Sequence, residues 1–120
     1  MIKDKKKILV LTSGGDAPGM NAAIRAVVRA GYYYNLEVYG CYAGFHGLIE
    51  QNIYKLELND VSNIIQSSGT ILKTARCKEF HNSQVREKVL IFLKQQNIRV
   101  IIVIGGDGSF KGAAALAVSY

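Results

Sequence analysis

Twice in this chain an unbroken aliphatic run leads straight into a glycine turn and then into residues with helical spacing. Ile8 to Leu11 runs into Thr12-Ser13-Gly14-Gly15, and Val100 to Ile104 runs into Gly105-Gly106-Asp107-Gly108. Few folds accept that arrangement. An aliphatic run without alternation suits a parallel strand covered by helices on both faces. Behind the first turn, Met20, Ala23, Ile24, Val27, Val28 and Gly31 recur at three and four, so the order is strand, tight loop, helix.

The intervening sequence repeats the alternation. Glu37 to Tyr42, rich in Val, Tyr and Cys, predicts a second strand ending at Ala43 and Gly44. Asn59 to Gln66 predicts a short helix with Asn59 as its cap, stopping at Ser67-Ser68-Gly69, and Thr70 to Thr74 reads as extended. Asn82-Ser83 caps an amphipathic helix with Val85, Val89, Phe92 and Leu93 on one face. An Ala-rich helical stretch follows the second turn and ends at Tyr120. The fold class expected is α/β, a doubly wound, mostly parallel, Rossmann-like sheet with helices on both faces. No strand follows the last helix, so a truncated sheet is expected, with residues 1–120 forming part of one nucleotide-binding domain and no complete second domain.

Composition narrows the function classes. The 120 residues are 49% hydrophobic with one proline, enough to bury a core. The net charge is +6, but Lys3, Lys5, Lys6 and Lys7, partly offset by Asp4, read as a solvated basic tip. The remainder is mildly basic, which fits a small anionic ligand better than nucleic acid. The apolar run after those lysines is four residues long, against roughly seven to fifteen for a secretory signal core. No run approaches the ~18 residues of a membrane span. Cys41 and Cys77 fit neither a paired metal-ligand spacing nor a disulfide framework, which points to a reduced, cytoplasmic setting without membrane attachment.

In open α/β sheets ligands lie beyond the carboxyl ends of strands, where helix N-termini present unpaired N–H groups. Gly14, Gly15, Gly105, Gly106 and Gly108 occupy that position and can bring backbone close to phosphate oxygens; as tight turns alone they would suit either loop taken singly. Neither turn is a Walker loop, and Lys111 stands where a dinucleotide fingerprint has its last glycine. A carboxylate beside phosphates needs a cation between them, which makes Asp107 the candidate Mg²⁺ residue. Asp16 either assists it or caps the following helix. Arg25 and Arg29, four apart on one helix face, form either an anion site or a solvated surface. Arg76 is either a bidentate phosphate clamp or the ion-pair partner of Glu79. Phe45 either fills core space or stacks on a base, and taken alone it reads as core.

Three segments, TSGGDAPGMNAAIR (Thr12 to Arg25), GTILKTARCKEF (Gly69 to Phe80) and IGGDGSFKG (Ile104 to Gly112), together resemble the amino-terminal part of bacterial 6-phosphofructokinases, in order and over nearly the whole chain. That family transfers the terminal phosphate of ATP to fructose 6-phosphate with Mg²⁺, as a glycolytic, usually tetrameric enzyme. The resemblance implies ATP contacts at Gly15, Phe45, Arg76, Cys77, Gly106, Asp107, Gly108, Ser109 and Gly112, with Asp107 at the metal. It implies that Arg25, Ala26, Val27, Val28 and Arg29 belong to an effector site for ADP or phosphoenolpyruvate between subunits. Gly108 implies ATP as donor, since related pyrophosphate-using enzymes typically carry aspartate there. Departures are few: Phe45 replaces a frequent tyrosine, Ser68 a usual glycine and Lys78 a frequent proline.

The family's catalytic aspartate belongs to a Thr-Ile-Asp-Asn-Asp motif that these 120 residues do not contain. The chain alone is therefore expected to be inactive, and it carries no catalytic residue beyond Arg76 as a candidate transition-state clamp. Two alternatives stand beside this reading. One is another kinase with a GGDG turn, of the diacylglycerol or NAD kinase class, against which the TSGGDAPGMNAAIR segment argues. The other is a non-catalytic nucleotide-binding or interaction module derived from the same family.

Overall fold

The computed structural model describes residues 5–15 and 17–119, without the side chains at 107, 108, 118 and 119. Eight regular elements alternate along them: β1 (Lys7–Thr12), α1 (Met20–Tyr33), β2 (Glu37–Cys41), α2 (Gly44–Ile49), β3 (Ile53–Lys55), α3 (Ser83–Gln95), β4 (Ile98–Ile104) and α4 (Asp107–Ser119). Three 3₁₀ turns, Leu58–Val61, Ile64–Gln66 and Lys78–His81, fill the span between β3 and α3. The sheet order is β3-β2-β1-β4, with β1 parallel to both neighbours and β3 antiparallel to β2. The mostly parallel sheet expected from the aliphatic runs is therefore present, with an antiparallel edge that the sequence did not announce.

Because β1 has side chains pointing alternately to both faces, it is buried on both. Leu9, Leu11, Cys41, Ile101 and Val103 face α2, α3 and α4, whose Phe45, Leu48, Val89, Leu93 and Leu116 complete one core. Ile8, Val10, Val38, Ile102 and Ile104 face the other way, toward Ile24 and Val28 of α1 and toward Leu56, Val61, Ile64 and Leu72. Helices thus cover both faces. Burying a side chain such as Leu9 or Ile24, neither with any exposed surface, contributes about 1.5–3 kcal/mol.

Several local expectations are corrected. Lys7 is not part of a frayed tip: it pairs with Glu37 and Ile98 at the start of β1, and its Nζ lies 5.5 Å from the Tyr39 ring. The second strand stops at Cys41, since Ala43 at φ 69° and Gly44 at φ 61° turn the chain into α2. The helix predicted from Asn59 is two 3₁₀ turns. Its cap is Glu57, whose backbone N–H donates to the Asp60 carboxylate at 2.7 Å. Residues 70–74, expected to be extended, turn at 71–72 and are otherwise irregular, with no strand pairing. β4 is less covered than its composition suggests: Ile98 is buried, Val100 is 50% exposed and Ile101 to Ile104 are half-buried. It forms an edge of the described sheet. The Asn82 cap is as expected, its side chain accepting from the Gln84 N–H at 2.8 Å. Among the described residues no helix is long and apolar enough to cross a membrane.

Candidate functional site

The two glycine turns meet because β1 and β4 are adjacent parallel strands, so their carboxyl ends emerge side by side. A backbone bond from Ser13 N–H to the Ile104 carbonyl, 3.0 Å, joins them at the exit. Gly14 takes φ +82°, a left-handed turn that a side chain disfavours. A Cβ at Gly105 would overlap both the Ser109 side chain and the Ser13 carbonyl, so the turns close against each other only with hydrogen at that position. Gly15 and Gly106 are different: a Cβ on either would meet nothing within 4 Å, and both line an open cleft. The bare backbone there faces space, not packing.

That cleft encloses about 880 Å³, within the range of small-molecule sites. Ser13, Gly14 and Gly15 form one wall, Gly106, Ser109, Lys111, Gly112 and Ala115 a second, and Thr74 to Lys78 with Phe80, His81 and Arg86 a third. Arg76, Lys78, Arg86 and Lys111 give it four cationic side chains, and no carboxylate is among its described lining residues. Electrostatically it suits an anion. Ser109 is 2% exposed, and among the described residues its Oγ has no hydrogen-bond partner. An unmet hydroxyl this deeply buried is costly unless something else approaches it.

The third wall is held by a chain of hydroxyl groups. Thr12 Oγ1 donates to the Lys73 carbonyl at 3.0 Å, so its single proton is committed. The 3.0 Å contact between the two threonine hydroxyls is then donated by Thr70, whose oxygen accepts from Leu72 N–H at 3.1 Å. Asn21 of α1 adds two bonds, accepting from Ile71 N–H at 2.7 Å and donating to the Ser67 carbonyl at 3.3 Å. The segment before Arg76 is fixed although it has no regular structure. Lys73 sits at φ +60° within it, a conformation costing a non-glycine residue about 1–2 kcal/mol.

Most residues read from the sequence as nucleotide contacts converge here. Gly15, Arg76, Cys77, Gly106, Ser109 and Gly112 all line the cleft. Arg76 is exposed, and among the described residues no ion pair joins it to Glu79. Phe45 lines the cleft yet is only 6% exposed, its ring 4.6 Å from that of Phe80. Gly112 lies beneath it: a Cβ there would come within 3.0 Å of the Phe45 ring. Asp16 and the side chains of Asp107 and Gly108 lie outside the described residues, although α4 begins at Asp107.

Arg25, Ala26, Val27, Val28 and Arg29 are absent from the cleft lining. They lie on α1, across the sheet from α2, α3 and α4. Arg25 is half-buried, Ala26 and Arg29 are exposed, Val27 packs at the core margin, and the Val28 side chain is committed to the core.

Two features escaped the sequence reading. Arg86 reaches the cleft from α3, its Nη1 donating to the Phe80 carbonyl at 2.8 Å while its buried Nε has no partner among the described residues; only its place one turn into a capped helix could have hinted at it. Cys77, unpaired by spacing, stands with His46 and Glu79, one ligand atom of each within 4.8 Å of the others. Burial, and secondarily the Glu79 charge, hold the Cys77 thiol above its usual pKa, and burial pushes the Cys41 thiol up to about 12. Both cysteines are free.

Residues 7–120 match the family model described as phosphofructokinase. The chain belongs to the phosphofructokinase family. It is 57% identical over 112 residues to the ATP-dependent 6-phosphofructokinase of Caldanaerobacter subterraneus subsp. tengcongensis, covering 93% of this chain and 35% of that protein. It is 59% identical over 111 residues to the enzyme of the same description from Bacillus cytotoxicus, covering 92% of this chain and 35% of that one. Among solved structures, Pichia pastoris phosphofructokinase in the T-state superimposes with a TM-score of 0.91 at 45% identity, over 97% of this chain and 13% of that one. The chain thus spans about a third of the length of the bacterial relatives it matches.

Proposed function

We propose that this protein transfers the terminal phosphoryl group of ATP to fructose 6-phosphate, giving fructose 1,6-bisphosphate and ADP, and that the described cleft holds the ATP. The observation that carries this reading is the cleft itself: two glycine turns at adjacent strand ends, with four cationic side chains around the same space. Backbone at Gly15 and Gly106 approaches the phosphates, Arg76 supplies a bidentate clamp, and the edge of Phe45 with Cys77 borders the base. Gly108, with no side chain to intrude, favours ATP over pyrophosphate as donor.

The donor set also suits magnesium, which takes hard oxygen ligands. Ser109 offers an unpartnered buried hydroxyl at this wall, and Asp107 is the carboxylate that would hold the ion. When bound, the ion neutralises charge developing on the phosphate oxygens. The chain's own contribution is to orient the triphosphate and keep its anionic oxygens against fixed N–H groups and cations.

Transfer also needs a group to accept the proton of the attacking hydroxyl. No carboxylate among the described lining residues is available for that. The 120 residues by themselves are therefore expected to form no ADP in response to the sugar. On α1, Arg25 and Arg29 are suited to an anionic effector such as ADP or phosphoenolpyruvate, with Ala26, Val27 and Val28 contributing backbone. Exposed Tyr32, Tyr33 and Tyr34 at the end of that helix supply aromatic surface of the kind enriched at subunit contacts, which supports a homotetramer. Two free thiols fit a cytoplasmic setting.

Titration of the full-length protein with a fluorescent ATP analogue and Mg²⁺ at low salt tests the reading. Saturable binding, weakened by roughly 10- to 100-fold on Arg76→Ala, is expected. An unsaturable signal in the unaltered protein would remove the proposal's basis.

A further inference from the structure

Beside the cleft, around its lining residue Cys77, stand a histidine and a carboxylate that no phosphate-binding role requires. One ring nitrogen of His46, Sγ of Cys77 and a carboxylate oxygen of Glu79 lie within 4.8 Å of one another. His46 stands on α2 and the other two on the segment that enters the 3₁₀ turn Lys78–His81, so the group bridges two separate elements. His46 is half-buried and Glu79 is exposed, leaving both side chains free to adjust. The oxygen Oε1 of Glu50 lies 3.2 Å from His46 Nε2. Metal-ligating histidines commonly donate their second ring N–H to such a carboxylate, which fixes the ring and strengthens the ligand.

We propose that His46, Cys77 and Glu79 form a binding site for a thiophilic divalent cation of the zinc class, with Glu50 orienting the imidazole through Nε2. A sulfur, an imidazole nitrogen and one carboxylate oxygen are the donors zinc takes, whereas magnesium prefers oxygen alone. Zinc bonds of about 2.0–2.3 Å put neighbouring ligand atoms roughly 3.5 Å apart. Closing the triad therefore takes about 1 Å of movement, within reach of rotation at the solvent-facing Glu79. The thiol proton is released to solvent as the zinc–sulfur bond forms. Three protein ligands leave a fourth tetrahedral position open. Because Cys77 also lines the cleft, an ion here joins α2 to the cleft wall and adds positive charge beside it. The site stands whether or not the cleft takes a nucleotide.

Cobalt(II) is the probe for the full-length protein, because a thiolate–cobalt bond gives a near-ultraviolet charge-transfer band. The band is expected to saturate at a single ion per chain attributable to this site, to vanish on adding Zn²⁺ and to persist in excess Mg²⁺. Cys77→Ser abolishes it, His46→Ala weakens binding, and Cys41→Ala leaves it intact, since Cys41 is fully buried. No band, or one surviving in Cys77→Ser, would overturn the site. Unaltered protein gives an independent readout: Zn²⁺ should slow alkylation of Cys77, read by peptide mass mapping, by roughly tenfold or more. An unchanged rate is equally fatal to the proposal.

Discussion

Two pairs of arginines in this molecule look alike in the sequence and differ in what surrounds them. Arg25 and Arg29 are a helical turn apart on α1, and neither is among the residues that line the cleft between the glycine turns. Arg76 and Arg86 are ten positions apart, on a loop and a helix, yet both border one cleft with two glycine turns and a buried unpartnered hydroxyl. Regular spacing places charges together on one element. A cationic cleft requires convergence of several elements, and its two glycine turns converge because β1 and β4 are neighbours.

The sharpest way to break that contrast is Gly105→Val. Its side chain would collide with Ser109 and the Ser13 carbonyl, costing about 3 kcal/mol, read as a lowered urea midpoint with loss of nucleotide binding. A stable, binding-competent variant would mean that the close approach of the turns is dispensable. Next, Arg76→Ala is expected to weaken ATP-analogue binding in the full-length protein by roughly 10- to 100-fold, from the loss of one charge-assisted contact of about 1.5–3 kcal/mol. Arg25→Ala should leave that affinity within about twofold. Equal losses from both would erase the distinction between the pairs.

A third effect is smaller and depends on pH. The Cys41 thiol is held neutral in the fold, with its pKa raised from 9.0 to about 12 by burial. Unfolded chain therefore loses this proton first as pH rises. The contribution is intact below about pH 9 and declines by about 1 kcal/mol for each unit between 9 and 12. Denaturation of the unaltered protein and Cys41→Ala at pH 8 and pH 10 should reveal a steeper decline in the former; parallel declines would contradict it. Smallest of all, replacing Arg29 with Ala removes the repulsion with Arg25 and should raise stability by only about 0.2–0.5 kcal/mol. A clear loss would signal that the arginines already have partners.

How much was legible follows from how local each signal is. Ile8 to Leu11, Val100 to Ile104 and the spacing from Met20 to Gly31 declare themselves within a dozen residues, and the strands and helix they predict are present. Asn82 caps α3 through its own side chain, another short-range fact. The short α2 and three-residue β3 have too little sequence to display a period; they are held by Ala43 in a left-handed turn and by pairing with β2. Residues 70–74 read as extended but have no strand neighbour, their polar groups being met by Thr12, Thr70 and Asn21 instead. The glycine turns and the stretch around Arg76, which line one cleft, were legible because each motif is contiguous. Arg86 and the grouping of His46 with Cys77 were not, since each depends on a meeting of segments far apart in sequence.

The two bonds made by Asn21 have a mechanical consequence. They plant the loop leading to Arg76 on the first turn of the helix that bears Arg25 and Arg29. A sideways slip of that helix by even a fraction of an ångström would tug on the footing of the loop across the sheet's end. Arg76 and the arginines of that helix, chemically separate, share one lever.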